Sequence, residues 1–199
     1  MSPILHDIQK NYFSAEEQRK LASVTIGIIG LGGLGSNCAF MLARSGIENF
    51  ILMDFDTVDA TNLNRQQYWP SDIGKNKTDA LASRLLALNP SINLLCINQK
   101  LDEGNKDTIL QKTNLWVEAV DKAETKACIL ETAARQGSFV VSASGISGCG
   151  KTCLTRRVLH NCVLVGDFVT DCADAPPLAP RVTWAAAMLA DAMLEKILR

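Results

Sequence analysis

The 199-residue chain has almost no charge bias, with 20 Lys and Arg against 21 Asp and Glu for a net charge of -1. That excludes bulk electrostatic attraction to nucleic acid or to an anionic membrane surface. There is no low-complexity run, no internal repeat and no block of like charge. The apolar stretches are all far shorter than a membrane span, and the opening residues are polar with no apolar core, which predicts no secretory signal. No C-x-x-C pair occurs among Cys38, Cys96, Cys128, Cys149, Cys153, Cys162 and Cys172. Cys149 and Cys153 stand close, but no second pair stands at comparable spacing. No zinc site is therefore expected, and reduced thiols in a cytoplasm fit the pattern.

What is present reads as a globular α/β chain, with 47% hydrophobic and 21% charged residues. After a polar leader over 1–22, helical around Ser14–Leu21, Val24–Ile29 is short, apolar and β-branched, which predicts a buried strand. A glycine cluster comes next, then a helix over Asn37–Ser45 and a second apolar run, Phe50–Met53, ending on Asp54. The alternation continues with a helix at Lys77–Leu88, a strand at Ile92–Asn98 and a short helix at Asp107–Gln111. A strand at Leu115–Val120, a helix at Ala123–Gln136 and a strand at Phe139–Ser144 complete it. Strands apolar on both faces, alternating with helices, predict a mostly parallel Rossmann-like sheet with helices on both faces. Beyond Gly145 the pattern changes. Thr152–Val158 and Cys162–Val165 predict added antiparallel strands, Pro176–Pro180 a rigid loop and Val182–Leu198 a final helix. No linker divides the chain, so 1–199 reads as a single domain.

Gly30-Leu31-Gly32-Gly33-Leu34-Gly35 lies between the first strand and its helix, the G-x-G-x-x-G context. Glycines there permit a tight turn and let backbone N–H groups approach phosphate oxygens at a helix N-terminus. Asp54, at the end of the second strand, is placed to accept hydrogen bonds from ribose hydroxyls. These features point to an adenine nucleotide without deciding between NAD and ATP. ATP chemistry needs cations to meet a triphosphate. Asn62, Arg65 and Lys77 come soon enough after strand two to return to that end of the sheet. The plainer reading leaves Arg65 and Lys77 as solvated surface charges and Asn62 as a turn former.

Taken in order, G-L-G-G-L-G at 30–35, D-F-D-T-V at 54–58, N-L-N-R-Q at 62–66, G-x-x-K ending at Lys77 and the Asp of Val120-Asp121 resemble the ThiF/MoeB/HesA family. These proteins are prokaryotic relatives of ubiquitin-activating enzymes. The resemblance covers 24–199 and is nearest to the short ThiF-like proteins that adenylate the sulfur carrier ThiS for thiamine thiazole synthesis. That group is also similar in Glu118–Lys126, Ser142–Gly145 and Ala179–Val182.

The resemblance implies ATP and magnesium as cofactors. It implies that Gly30, Gly32, Gly33 and Gly35 approach the phosphates and that Asp54 and Asp56 bind the nucleotide, Asp54 at the ribose. Asn62, Arg65 and Lys77 bind the triphosphate, and Asp121 coordinates Mg2+. The catalytic set is then Arg65, Lys77 and Asp121. The implied partner is a small ubiquitin-like sulfur carrier ending in Gly-Gly, and the implied assembly a homodimer, with neither nucleic acid nor membrane involved.

The sequence departs from the family in three ways. Larger relatives carry an N-terminal arginine that reaches the partner protomer's ATP; here the first is Arg19, and His6 and Lys10 stand nearer the expected place. The family's zinc cysteines are missing. So is a clear counterpart of its reactive crossover-loop cysteine, for Cys172 reads as a buried or idle thiol. Gly145-Ile-Ser-Gly-Cys-Gly150-Lys151-Thr152 spells a P-loop, but the residues after it read as strand rather than a long helix. Competing readings are a molybdopterin-type carrier, a small molecule or a tRNA base as acceptor, an NAD-dependent oxidoreductase on the same fold, and a silent carrier-docking scaffold.

Overall fold

The computed structural model describes residues 8–150 and 152–199. Helix α1 spans Ala15–Ser23 and opens on a capping box between Ser14 and Glu17, which satisfies N–H groups that the helix itself leaves unpaired. Then come β1 (Thr25–Ile29), α2 (Gly33–Arg44), β2 (Asn49–Met53), α3 (Lys77–Leu88), β3 (Asn93–Ile97) and α4 (Lys106–Leu110). The chain continues through β4 (Leu115–Glu118), α5 (Ala123–Gln136), β5 (Phe139–Ala143), β6 (Thr155–Leu159), β7 (Cys162–Gly166) and α6 (Ala179–Leu198).

The strands form one sheet in the order β3-β2-β1-β4-β5-β7-β6. Only the β6–β7 pair is antiparallel, because β7 adds parallel to β5. One face packs against α1, α2, α3 and α6 through Ile26, Ile28, Leu52, Val117 and Val141. The other packs against α4 and α5 around Ile29, Trp116 and Val140. Gly27 makes the second face possible, since a Cβ there would lie 2.1 Å from the Trp116 ring. Trp116 is wholly buried in the space so freed. The mostly parallel, helix-covered sheet agrees with the sequence expectation.

Two expectations need correction. β3 is not apolar on both faces: Asn93, Leu95 and Cys96 are exposed, as an edge strand with one outer side open permits. β6 is likewise exposed along its whole length. The last helix starts at Ala179 rather than Val182, because Pro180 falls in the first turn, where its missing N–H costs nothing. No described helix is long and apolar enough to cross a membrane.

Strand order reverses between β1 and β4, so the carboxyl ends of those strands open a crevice at the switch point of the sheet. The glycine turn after β1 and the Ala119–Asp121 turn after β4 meet there.

Candidate active site

The glycine turn is built by close approach. Gly30 has φ +89°, and a Cβ on it would sit 2.6 Å from the Ala119 carbonyl oxygen. A Cβ on Gly35 would lie 1.9 Å from the Gly30 carbonyl, and one on Gly33 would press on Val182 of α6 at 2.7 Å. Gly32 differs, since a Cβ there would meet only Gln66 Nε2, at 3.6 Å. No side chain caps α2, so its first N–H groups point into this open space.

Asp54 is buried and holds the turn from behind. Its Oδ2 accepts from the Leu31 N–H at 2.6 Å and its Oδ1 from the Asp56 N–H at 2.9 Å. Tyr68 closes the same turn, its hydroxyl donating to the Leu31 carbonyl at 2.8 Å. Burial first, then the nearby Asp54 and Asp72 charges, push the Tyr68 hydroxyl far above its ordinary pKa and keep it a neutral donor.

The segment after β2 folds back onto α2. Ser36 Oγ accepts from the Gln67 N–H at 3.1 Å, and Asn37 Nδ2 donates to the Arg65 carbonyl at 3.0 Å. This brings Arg65 beside Gly33, with the guanidinium donating to the Asn64 side chain at 2.8 Å. Asn62 closes a capping box with Asp59 over Ala60–Asn62, so its turn-forming role is real.

Lys77, by contrast, is not a solvated surface charge. It is 6% exposed at the start of α3, and its ammonium meets Asp56 Oδ2 at 2.8 Å. Asp121 is exposed just beyond β4 and makes no hydrogen bond or ion pair among the described residues. The crevice thus gathers Gly30, Gly32, Gly33, Gly35, Asp54, Asp56, Arg65, Lys77 and Asp121 around the end of one sheet.

Sequence reasoning missed Ser36, Asn37, Gln67 and Tyr68, which pin the turn, and gave Gln66 no role of its own. Gln66 is buried beside Gly32 with Oε1 unpartnered, which no sequence spacing announces. Arg181 too had no assigned role. It is buried, donating to the Thr152 carbonyl at 2.7 Å and to Asp167 at 2.6 Å. Cys172 is exposed rather than buried, with Sγ 3.0 Å from Ser147 Oγ. The described part of the P-loop-like stretch ends in a loop before β6, not at a long helix; His6 and Lys151 lie outside the described residues.

The sequence profile of the ThiF family matches residues 6–198. The adenylyltransferase and sulfurtransferase uba4 of Emericella nidulans is 31% identical over 186 residues, covering 85% of this chain and 39% of that protein. The tRNA threonylcarbamoyladenosine dehydratase of Haemophilus influenzae is 31% identical over 138 residues, covering 68% of this chain and 53% of its own length. The chain therefore spans about half or less of these relatives. The crystal structure of the E. coli tRNA N6-threonylcarbamoyladenosine dehydratase superposes with TM-score 0.90 at 18% identity. It covers 98% of this chain and 94% of its own, a likeness of fold.

Proposed function

This chain belongs to the ThiF family, and from that premise we propose that it uses ATP to adenylate the C-terminal glycine of a small ubiquitin-like sulfur carrier of the thiamine-thiazole type. The observation that carries the reading is Lys77. It is a buried ammonium beside the glycine turn, and its partner Asp56 has a side chain 49% exposed. A phosphate oxygen can take over that partnership; a solvated lysine would offer no such fixed charge.

The residues fit a nucleoside triphosphate. The space in front of Gly32 is bordered only by the Gln66 side chain, the α2 N-terminus is uncapped, and the buried Gln66 Oε1 lacks a partner. Gly30, Gly33 and Gly35 shape the turn and Gly32 admits the phosphates, and Asp54 keeps unused lone pairs for ribose hydroxyls. Asn62, Arg65 and Lys77 meet the triphosphate, with Asp56 holding Lys77 in place. The unpaired carboxylate of Asp121 suits Mg2+, a hard cation that retains most of its waters. When bound, that ion neutralises phosphate charge and polarises the reacting phosphoryl group.

The chemistry asks little more of the chain. The carrier's terminal carboxylate is already ionised at neutral pH, so no general base is needed. One of its oxygens bonds to the α-phosphorus as the bond to the β-phosphate oxygen breaks, giving an acyl-adenylate and pyrophosphate. Arg65 and Lys77 offset the repulsion between two anions and stabilise charge on the departing pyrophosphate.

ATP–pyrophosphate exchange with magnesium and a purified Gly-Gly carrier tests this, using Lys77→Ala and Asp121→Ala beside the wild type. Carrier-dependent exchange lost in both variants is the expected result. ATP binding without exchange on thiamine-type, molybdopterin-type or other acceptors would move the silent scaffold to first place. The dehydratase relative favours a tRNA acceptor as second reading, which the net charge of -1 does not assist; stimulation of exchange by tRNA alone selects it. A homodimer is the proposed assembly, and a monomer by light scattering at micromolar concentration sinks it.

A further inference from the structure

We propose that Glu118 is a positioning residue for the adenylation site, its buried carboxylate fixing the backbone turn that carries Asp121; the inference rests on the ATP and magnesium reading above. Glu118 ends β4 and is 0% exposed. Its Oε1 accepts from the Val120 N–H at 2.8 Å, and its Oε2 accepts from Lys126 Nζ of α5 and Ser142 Oγ of β5. Lys126 also reaches Ser142 Oγ at 3.4 Å.

An ionised carboxylate out of water is a costly choice, and a matched apolar pair in its place is often as stable or more so. Stability alone therefore does not account for it. What an apolar side chain cannot do is accept the Val120 N–H. The Ala119 N–H still donates to the Ile29 carbonyl at 2.9 Å, so the sheet registers the chain up to that residue. The Ala119 carbonyl then lies against Gly30, closer than any side chain there would allow. Glu118 extends this fixation by one more peptide. Asp121 is left between a pinned Val120 and the start of α5 at Ala123. Its carboxylate is aimed by backbone rather than by a bond of its own. Shell residues that orient a metal ligand typically cost 10–100-fold in metal affinity when lost.

Two double variants separate the charge pair from the acceptor. Glu118→Gln with Lys126→Met removes both charges but keeps an oxygen for the Val120 N–H. Glu118→Leu with Lys126→Met removes both charges and the acceptor. Calorimetric ATP affinity is measured in EDTA and again in excess Mg2+, with Asp121→Ala as the metal-blind reference. The gain in affinity on adding Mg2+ should fall about tenfold in the Leu/Met variant. In the Gln/Met variant that gain should stay within about twofold of wild type, as should the EDTA affinity of all three proteins. A full Mg2+ gain in the Leu/Met variant overturns the inference alone, whereas absence of ATP binding by the wild type overturns the nucleotide reading as well. Should the Leu/Met protein fail to fold, amide exchange in the wild type decides. Val120 protected like the β4 amides supports the clamp, and exchange at a coil rate refutes it.

Discussion

Two buried cations stand in the first turns of their helices at the same end of the sheet, each paired with an aspartate, and they are built to opposite purposes. Arg181 and Asp167 have side chains only 6% and 3% exposed. Asp167 also accepts from Thr152 and Thr170 hydroxyls and from the N–H groups of Val169 and Thr170 at 2.9 Å. Arg181 further spans the Thr152 carbonyl and hydroxyl, both at 2.7 Å. Every strong acceptor there is taken. Lys77 is nearly as buried, yet its ammonium has one charged partner, and that partner's side chain is 49% exposed. With the Asp167 carboxylate saturated and only Arg181 Nε left without a partner, the first pair is a pin between the Thr152 loop, the Asp167 turn and α6. Under-satisfaction leaves the second cation ready to meet an anion from outside. Charge and burial alone do not tell a binding cation from a structural one; the count of competing partners does.

The comparison breaks most sharply at Arg181. Arg181→Met strands the Asp167 carboxylate in a dry site, and a half-broken buried pair costs about 3–5 kcal/mol. Urea unfolding should register that loss as a lower midpoint at unchanged slope. Lys77→Ala should invert the pattern, with carrier-dependent exchange down by roughly 10²–10³-fold, the scale of a lost transition-state donor. Its urea midpoint should barely move, because the abandoned Asp56 is half in water. Equal destabilisation of the two variants would erase the distinction.

The two regions also differ in how far the sequence foretells them. The glycine turn, Asp54 and the approach of Arg65 and Lys77 to it are legible from strand–turn–helix order, because chain direction in a parallel sheet returns them to one end. Lys77 reads as either solvated or functional from spacing, and only its burial separates the two. The Arg181 pin unites two loops and a helix whose meeting depends on how α6 packs against α2, which no local pattern encodes. Glu118, Lys126 and Ser142 lie on three elements for the same reason. A start at Val182 for α6 presumes that Pro180 breaks the helix, whereas a first-turn proline is compatible with it.

Acid should act next on the Asp167 site. Burial alone would raise the Asp167 pKa, but the Thr152 and Thr170 hydroxyls and the N–H groups of Thr170 and Val169 outweigh it and hold the carboxyl well below the usual range. Asp72 is shifted the same way, its burial outweighed by the Trp69 N–H, Arg84 and Lys75. A depressed folded-state pKa contributes stability that is full above the unfolded value, about 4, and is lost as pH falls through the folded value. Unfolding free energy should therefore decline below about pH 4, and Asp167→Asn should flatten that decline after lowering stability at neutral pH. A decline equally steep in the variant would assign it to other carboxylates.

The smallest effect tests the exposed partner. Asp56→Asn removes the charge facing Lys77 but keeps an oxygen able to accept from its ammonium, and a half-exposed pair contributes no more than about 1 kcal/mol. Thermal unfolding should shift by a few degrees at most, against the much larger shift of Asp167→Asn. If Asp56 only holds Lys77 until a phosphate arrives, exchange in Asp56→Asn should stay within several-fold of wild type, far from the loss in Lys77→Ala. A loss as deep as that of Lys77→Ala would mean that Asp56 acts on the nucleotide itself. The under-satisfied pair would then be a matched acid and base around one ligand, not a cation waiting for its anion.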